Sequence, residues 1–126
     1  MLWVSMHGLQ VTDEDLTYLD AFPRLRSFRS VETRIGNEGL KYLENKSCLR
    51  FLCLSSNDVT DAGLSHLSRL TDLESLDLSA TKIADLGLEH LRNLTQLGQL
   101  NLHATRVSDK GVEKLQQALP RCEIKR

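Results

Sequence analysis

The sequence has few aromatic residues, almost no net charge and no long hydrophobic run. Phe, Trp and Tyr make up only 5% of the 126 residues, as is typical of a core built from leucine. The formal net charge is −1, from 16 basic and 17 acidic residues. The chain therefore lacks the strong positive electrostatic field that would attract nucleic acid or an anionic membrane. No segment approaches the length of a transmembrane helix, and the N-terminal stretch MLWVSMHGL lacks the basic leader of a signal peptide. We therefore expect neither nucleic acid nor a membrane as partner.

Cysteine is also scarce. Cys48, Cys53 and Cys122 are the three in the chain, and they show no C-x-x-C spacing. Neither a zinc site nor a complete disulfide framework is therefore indicated. Reduced thiols fit a cytoplasmic setting best, and we predict a cytoplasmic location with no metal and no cofactor.

What the sequence does contain is a repeat of 24 residues. Shifting the chain by 24 aligns Leu25, Leu49, Leu73 and Leu97 with Met1. Five units tile residues 1–24, 25–48, 49–72, 73–96 and 97–120, and we interpret residues 121–126 as a C-terminal cap strand of the same single domain. In each unit, positions 1, 4, 6, 11, 16, 19 and 22 should be apolar, and 33 of these 35 sites are. Such regularity predicts a repeat architecture.

The two exceptions to the apolar pattern both lie in the second unit. They are Ser30 at position 6 and Lys46 at position 22. A lysine can cover apolar surface with its stem while its amine reaches water. We interpret the second unit as the weakest of the five.

Each unit changes its period part-way along. Positions 4 and 6 alternate like a strand, whereas positions 16, 19 and 22 have helical spacing. A polar Thr or Asn at position 9 marks the corner between them. Asp or Asn at position 13, often after Thr or Ser, is a helix N-cap signal, with either position 12 or position 13 as the cap. Gly at position 15 of units two to five should let the first helical turn pack close to the neighbouring unit.

The resulting pattern LxxLxLxxTxIxDxGLxxLxxLxx resembles a leucine-rich repeat along the whole chain. It is similar to the short repeats with a D-x-G-L helix start that are common in bacterial repeat proteins, in F-box substrate receptors and in ribonuclease inhibitors. The resemblance implies an α/β fold: a right-handed solenoid of five strand-helix units with a parallel concave sheet and convex helices. It also implies protein binding as the usual role, with no catalytic residues to carry over.

The concave face is the predicted binding surface, because strand positions 3, 5 and 7 point out of the sheet there. The candidate partner-binding residues are Trp3, Arg29, Phe51, Cys53, Asp77, Asn101 and His103. An exposed aromatic beside an arginine, as at Phe51 and Arg29, has the composition of an interface hot spot. Outward strand residues that are simply tolerated are the alternative reading.

Other candidate sites carry weaker signals. His66 and His90 share position 18 on neighbouring helices, but two histidines without a third ligand make a poor metal site. A catalytic triad needs a nucleophile held beside its base in a pocket, and one-unit strands offer none, so we do not expect an enzyme.

Two functions remain open from the sequence. The first is a non-catalytic module that binds a protein partner through the concave sheet. The second is a fragment or structural segment of a longer leucine-rich-repeat protein, for example an F-box-like substrate receptor. Trp3 and Val4 lie at an end that no earlier unit covers, which favours the fragment or an end-to-end association through that unit.

Overall fold

Six short strands form one parallel sheet in the computed structural model, which describes residues 2–126. Met1, the predicted position 1 of the first unit, lies outside the described residues. The strands are β1 (Trp3–His7), β2 (Ser27–Val31), β3 (Phe51–Cys53), β4 (Ser75–Asp77), β5 (Gln99–Asn101) and β6 (Glu123–Lys125). Neighbours in sequence are neighbours in the sheet, and the α/β solenoid predicted from the repeat is confirmed.

The strands pair in the register that the repeat predicts. Leu52 of β3 lies opposite Leu76 of β4, and Leu76 lies opposite Leu100 of β5, each 24 residues further along the chain. All three side chains are buried, as is Phe28 on β2. Because side chains alternate along a strand, this fixes positions 4 and 6 on the core side and positions 3, 5 and 7 on the other side.

The helical part of each unit is shorter and tighter than an ordinary α-helix, except in the last unit. Four 3₁₀ helices span Asp13–Ala21, Gly39–Leu43, Ser65–Leu67 and Glu89–Leu91, and three α-helices are α1 (Asp61–Leu64), α2 (Asp85–Leu88) and α3 (Asp109–Ala118). Positions 16, 19 and 22 are each three residues apart, which suits the three residues per turn of a 3₁₀ helix. Their side chains therefore line up on one side, and Leu16 and Leu19 of the first unit are both fully buried.

The chain turns from strand to helix at position 8, one residue before the predicted corner. Glu32, Ser56, Ala80 and Ala104 have φ of 54° to 59°, and Gly8 has φ of 109°. This left-handed conformation costs an ordinary residue about 1–2 kcal/mol. The turn keeps its amide bonded: Ala80 N, for example, donates to the carbonyl of His103 at 2.9 Å.

The polar exceptions of the second unit are buried and hydrogen-bonded. Ser30 is fully buried, and its hydroxyl lies 2.8 Å from the hydroxyl of Thr33. Lys46 is only 6% exposed, and its amine donates to the carbonyl of Leu19 at 2.5 Å. The prediction that the amine of Lys46 reaches water is wrong, because the amine bonds to the preceding unit.

Position 13 connects one unit to the next. The sequence predicts a helix N-cap at position 12 or 13, but the side-chain oxygen of position 13 accepts from the backbone amide of position 12 in the following unit. These bonds join Asp13 to Gly36 at 2.7 Å, Asn37 to Thr60 at 3.0 Å, Asp61 to Ala84 at 2.8 Å and Asp85 to Ser108 at 2.8 Å. Position 12 is the N-cap in units one, three, four and five, whereas Glu38 at position 14 is the N-cap in unit two. The hydroxyl oxygen of Ser108 accepts from Gly111 N at 3.0 Å, as expected of an N-cap.

The glycines at position 15 make these cross-unit bonds possible. A Cβ on Gly39 would lie 2.5 Å from the carboxylate of Asp13, and one on Gly87 would lie 3.0 Å from Cγ of Asp61. The close approach predicted for this glycine is therefore to the position 13 side chain of the preceding unit.

Candidate functional site

The sheet presents its polar face away from the core, and we call this surface the outward face. Three rows of side chains cross it from strand to strand. Row A is Trp3, Ser27, Phe51, Ser75, Gln99 and Glu123; row B is Ser5, Arg29, Cys53, Asp77, Asn101 and Lys125; row C is His7, Val31, Ser55, Ser79 and His103. All seven residues proposed from the sequence lie in these rows.

Row A carries two exposed aromatic side chains. Trp3 is 65% exposed on β1, and Phe51 is 46% exposed on β3. Ser27 pairs with both of them in the parallel register, so it lies between the two rings on β2. The two rings therefore flank the small side chain of Ser27 and leave a slot between them. The axes of β1 and β3 are about 9.6 Å apart, because adjacent strands are about 4.8 Å apart.

Row B places opposite charges on either side of Cys53. Arg29 pairs with Cys53 on one side, and Asp77 pairs with it on the other. Together with Phe51, these residues line a shallow depression of about 280 Å³. The structure therefore brings four of the seven predicted residues into one depression at the middle of the outward face.

The charges of this depression have no ion-pair partner within residues 2–126. Asp77 accepts from the backbone amide of Ser79 at 2.9 Å, and Sγ of Cys53 lies 3.8 Å from its other oxygen. Burial raises the pKa of the Cys53 thiol, and the nearby Asp77 carboxylate raises it further. Cys53 is thus held as a neutral thiol, while Arg29 and Asp77 remain available to a ligand.

The remaining candidates lie further along the sheet. The side chain of Asn101 accepts from the backbone amide of His103 at 3.0 Å, so the two belong to one local turn. His103 itself is exposed at the end of row C. These two residues extend the face beyond Asp77 but do not line the central depression.

The helical side offers different features. His66 bonds through Nδ1 to the carboxylate of Glu44 at 2.8 Å. Within the described chain, no group of three or more His, Cys, Asp or Glu side chains is placed to hold a metal ion. No described helix is both long and apolar enough to cross a membrane.

Two large exposed side chains on the helical side, Tyr18 and Leu86, were not predicted from the sequence. Leu86 is 78% exposed and borders a mostly apolar cleft of about 230 Å³ between α2 and α3, together with Leu88 and Lys114. Leu86 stands at position 14, where the other units carry Glu14, Glu38, Ala62 and Lys110. A leucine at a position that is otherwise mostly charged is the signal that could have revealed it.

The sheet, its 24-residue register and its cross-unit bonds define a leucine-rich-repeat solenoid. Residues 49–93 match the family described as "Leucine Rich repeats (2 copies)". The prediction of a leucine-rich repeat protein is confirmed. A search of curated proteins gave no match.

Two solved structures share this fold along the chain. One is an internalin from Listeria monocytogenes, with a TM-score of 0.83, 21% identity, and coverage of 99% of this chain and 34% of that one. The other is a leucine-rich-repeat protein from Leptospira interrogans, with a TM-score of 0.64, 19% identity, and coverage of 100% of this chain and 37% of that one. The chain thus spans about a third of the length of each. At these identities the likeness concerns the fold alone.

Proposed function

We propose that this chain is a non-catalytic module that binds a protein partner through its outward face. The observation that supports this most is the central depression, where an exposed phenyl ring lies beside two charges without ion-pair partners in the described residues. Leucine-rich repeats are extended scaffolds whose sheet is suited to such binding. Within this proposal the protein is cytoplasmic, and neither nucleic acid nor a membrane is its partner.

The energetics of the depression favour a protein ligand. Phe51 is a large, rigid side chain that loses little entropy on binding, and Arg29 and Asp77 can each pair with a partner charge once water is excluded around them. Trp3 adds a second aromatic side chain in the same row. Binding energy at protein interfaces concentrates in a few aromatic and arginine residues of this kind.

Replacement of Phe51 tests the proposal. Immobilised wild-type protein should capture a partner from cell lysate, and Phe51→Ala and Arg29→Ala should each weaken the measured affinity for that purified partner by at least about 1 kcal/mol. Leu86→Ala is the matched control, because it truncates an exposed apolar side chain on the helical side. All three variants should keep the wild-type melting midpoint within about 2 °C, since their side chains are outside the core.

Equal affinity of wild type and both outward-face variants for the captured partner would contradict the proposal. Capture of no protein by the wild type would contradict it too. In either case the other reading from the sequence, a structural segment of a longer leucine-rich-repeat protein, would replace it. Specific loss with Leu86→Ala alone would move the binding surface to the cleft between α2 and α3.

A further inference from the structure

The outward face has a period of two strands, in row A from β1 to β5 and in row B from β2 to β6, while Glu123 on β6 lies outside the period of row A. In row A, large side chains stand on β1, β3 and β5, and serines stand on β2 and β4: Trp3, Ser27, Phe51, Ser75, Gln99. In row B, charges stand on β2, β4 and β6, and neutral residues stand between them: Arg29, Cys53, Asp77, Asn101, Lys125. The serine slots of row A therefore lie on the same strands as the first two charges of row B.

The charges of row B also alternate in sign. Arg29 is positive, Asp77 is negative and Lys125 is positive, and none of them forms an ion pair within residues 2–126. Arg29 and Lys125 are exposed, and Asp77 is half-buried. A ligand that crosses the strands thus meets a positive, a negative and a positive group at equal steps.

The length of these steps distinguishes between backbone conformations of a ligand. Two strand spacings measure about 9.6 Å, and four measure about 19.2 Å. A polyproline II helix has three residues per turn and advances about 3.1 Å per residue, so residues i, i+3 and i+6 share one side at steps of about 9.3 Å. In an α-helix, residues i and i+7 share one side and lie about 10.5 Å apart. After two such repeats the helix has advanced about 21.0 Å, which exceeds four strand spacings by about 1.8 Å. A β-strand repeats a side after about 6.7 Å.

We infer that the outward face binds an extended polyproline II segment that crosses the strands and carries acidic, basic and acidic residues at i, i+3 and i+6. This rests on the protein-binding function proposed above and names the chemistry of the partner. The acidic residues face Arg29 and Lys125, and the basic residue faces Asp77. Apolar residues at i−1 and i+2 lie on an adjacent side of the peptide and are displaced by about 3.1 Å along its axis from the charged residues. They therefore lie between Trp3 and Ser27 and between Phe51 and Ser75, against the two rings. Aromatic-lined slots are a known way to hold such helices, which lose little entropy on binding.

Synthetic peptides test this on the full chain by fluorescence anisotropy. The matching peptide contains Glu-Pro-Pro-Lys-Pro-Pro-Glu between flanking prolines, and the control Glu-Pro-Lys-Pro-Pro-Pro-Glu has the same composition with its lysine off the shared side. The matching peptide should bind at least about tenfold more tightly, because three charge pairs form together. Its advantage should shrink as salt screens these exposed charges. Equal affinities, or no binding of either peptide, would overturn the inference.

A charge reversal sharpens the test. The variant Asp77→Lys makes row B positive at all three steps, so it should prefer Glu-Pro-Pro-Glu-Pro-Pro-Glu, whereas wild type should prefer the matching peptide. Asp72→Lys is the matched control, because Asp72 is an exposed acid outside the outward face and should leave the wild-type preference unchanged. If Asp77→Lys lowers the melting midpoint strongly, Arg29→Glu serves instead and should prefer Lys-Pro-Pro-Lys-Pro-Pro-Glu. A preference that does not follow these reversals refutes the inference.

The peptide experiment and the partner-capture experiment can fail independently of each other. If partner capture still depends on Phe51 while no peptide shows the spacing preference, the binding module stands and the polyproline II ligand does not. Tighter binding of a helical peptide with the same charges seven residues apart would likewise overturn this ligand and leave the module in place.

Discussion

Gly87→Ala should destabilise the protein although alanine is the better helix former. The new Cβ would lie 3.0 Å from Cγ of Asp61 and even closer to its Oδ1. That oxygen accepts from Ala84 N at 2.8 Å, so it cannot move away without losing the bond. A hydrogen bond to a charged group contributes about 1.5–3 kcal/mol, whereas alanine gains about 1 kcal/mol over glycine in a helix. The free energy of unfolding should therefore fall by about 0.5–2 kcal/mol.

A double-mutant cycle isolates the cause. In an Asp61→Ala background the bond is already absent and the space is open, so Gly87→Ala should be neutral or stabilise by up to about 1 kcal/mol. The coupling energy between the two sites should therefore be about 2 kcal/mol. Urea unfolding followed by circular dichroism, with a common slope for all four proteins, measures each free energy.

Gly98→Ala is the matched control for this cycle. Its Cβ would meet the carbonyl of Glu74 at 3.6 Å, which is ordinary contact. Alanine should stabilise there by about 0.4–1 kcal/mol, through the entropy of the unfolded chain. If Gly87→Ala costs the same with and without Asp61, the close approach between units is not the reason for this glycine, and the reasoning is refuted.

Two further predictions concern buried and bonded polar groups. Lys46→Met should raise the free energy of unfolding by about 1 kcal/mol, because it removes a charge from the core. The carbonyl of Leu19 would keep a donor, since it also accepts from Phe22 N at 2.9 Å. A lower midpoint in thermal melting would show that the hydrogen bond of the ammonium group outweighs apolar packing. The pKa of Asp85 lies below its ordinary value of 3.8, chiefly because the side chain and then the backbone of Ser108 donate to it. Its folded pKa is depressed, so its contribution to stability is present above pH 3.8 and is lost as pH falls through the folded pKa. Asp85→Asn should flatten that acid limb of the melting profile, and an unchanged limb would exclude this carboxylate as its cause.

The sheet could be predicted from sequence because its determinants recur within one unit. Alternation at positions 4 and 6 is visible in any unit, and the 24-residue shift alone gives the pairing of Leu52 with Leu76. The composition of rows A and B follows from the same two facts. The gathering of Arg29, Phe51 and Asp77 around one depression could therefore be anticipated in outline.

What could not be predicted depends on contacts between units. Nothing in the sequence of one unit shows that Asp61 bonds to Ala84 rather than to its own helix. The burial of Lys46 depends on a carbonyl 27 residues earlier in the chain. The choice of 3₁₀ over α-helix could not be predicted from spacing either, because positions 16, 19 and 22 are spaced identically in the last unit, where α3 (Asp109–Ala118) is an α-helix. The exposure of Leu86 also depends on the neighbouring α3, which lines the same cleft.

The buried polar cluster around Thr33 bears on how neighbouring units recognise each other. Oδ1 of Asn57 accepts from Thr33 N at 3.0 Å and from its hydroxyl at 2.6 Å, while its amide donates to Ser30 O at 2.8 Å. The next unit has Thr81 at this position, and that hydroxyl donates to its own unit's Leu78 O at 2.6 Å. If the second unit docked on the fourth and skipped the third, Thr33 would lose the acceptor of its amide, at a cost of about 1–3 kcal/mol. The leucine layers of the units are nearly interchangeable, but this cluster can form only between the second and third units. It therefore disfavours misfolded states in which a unit packs against the wrong neighbour.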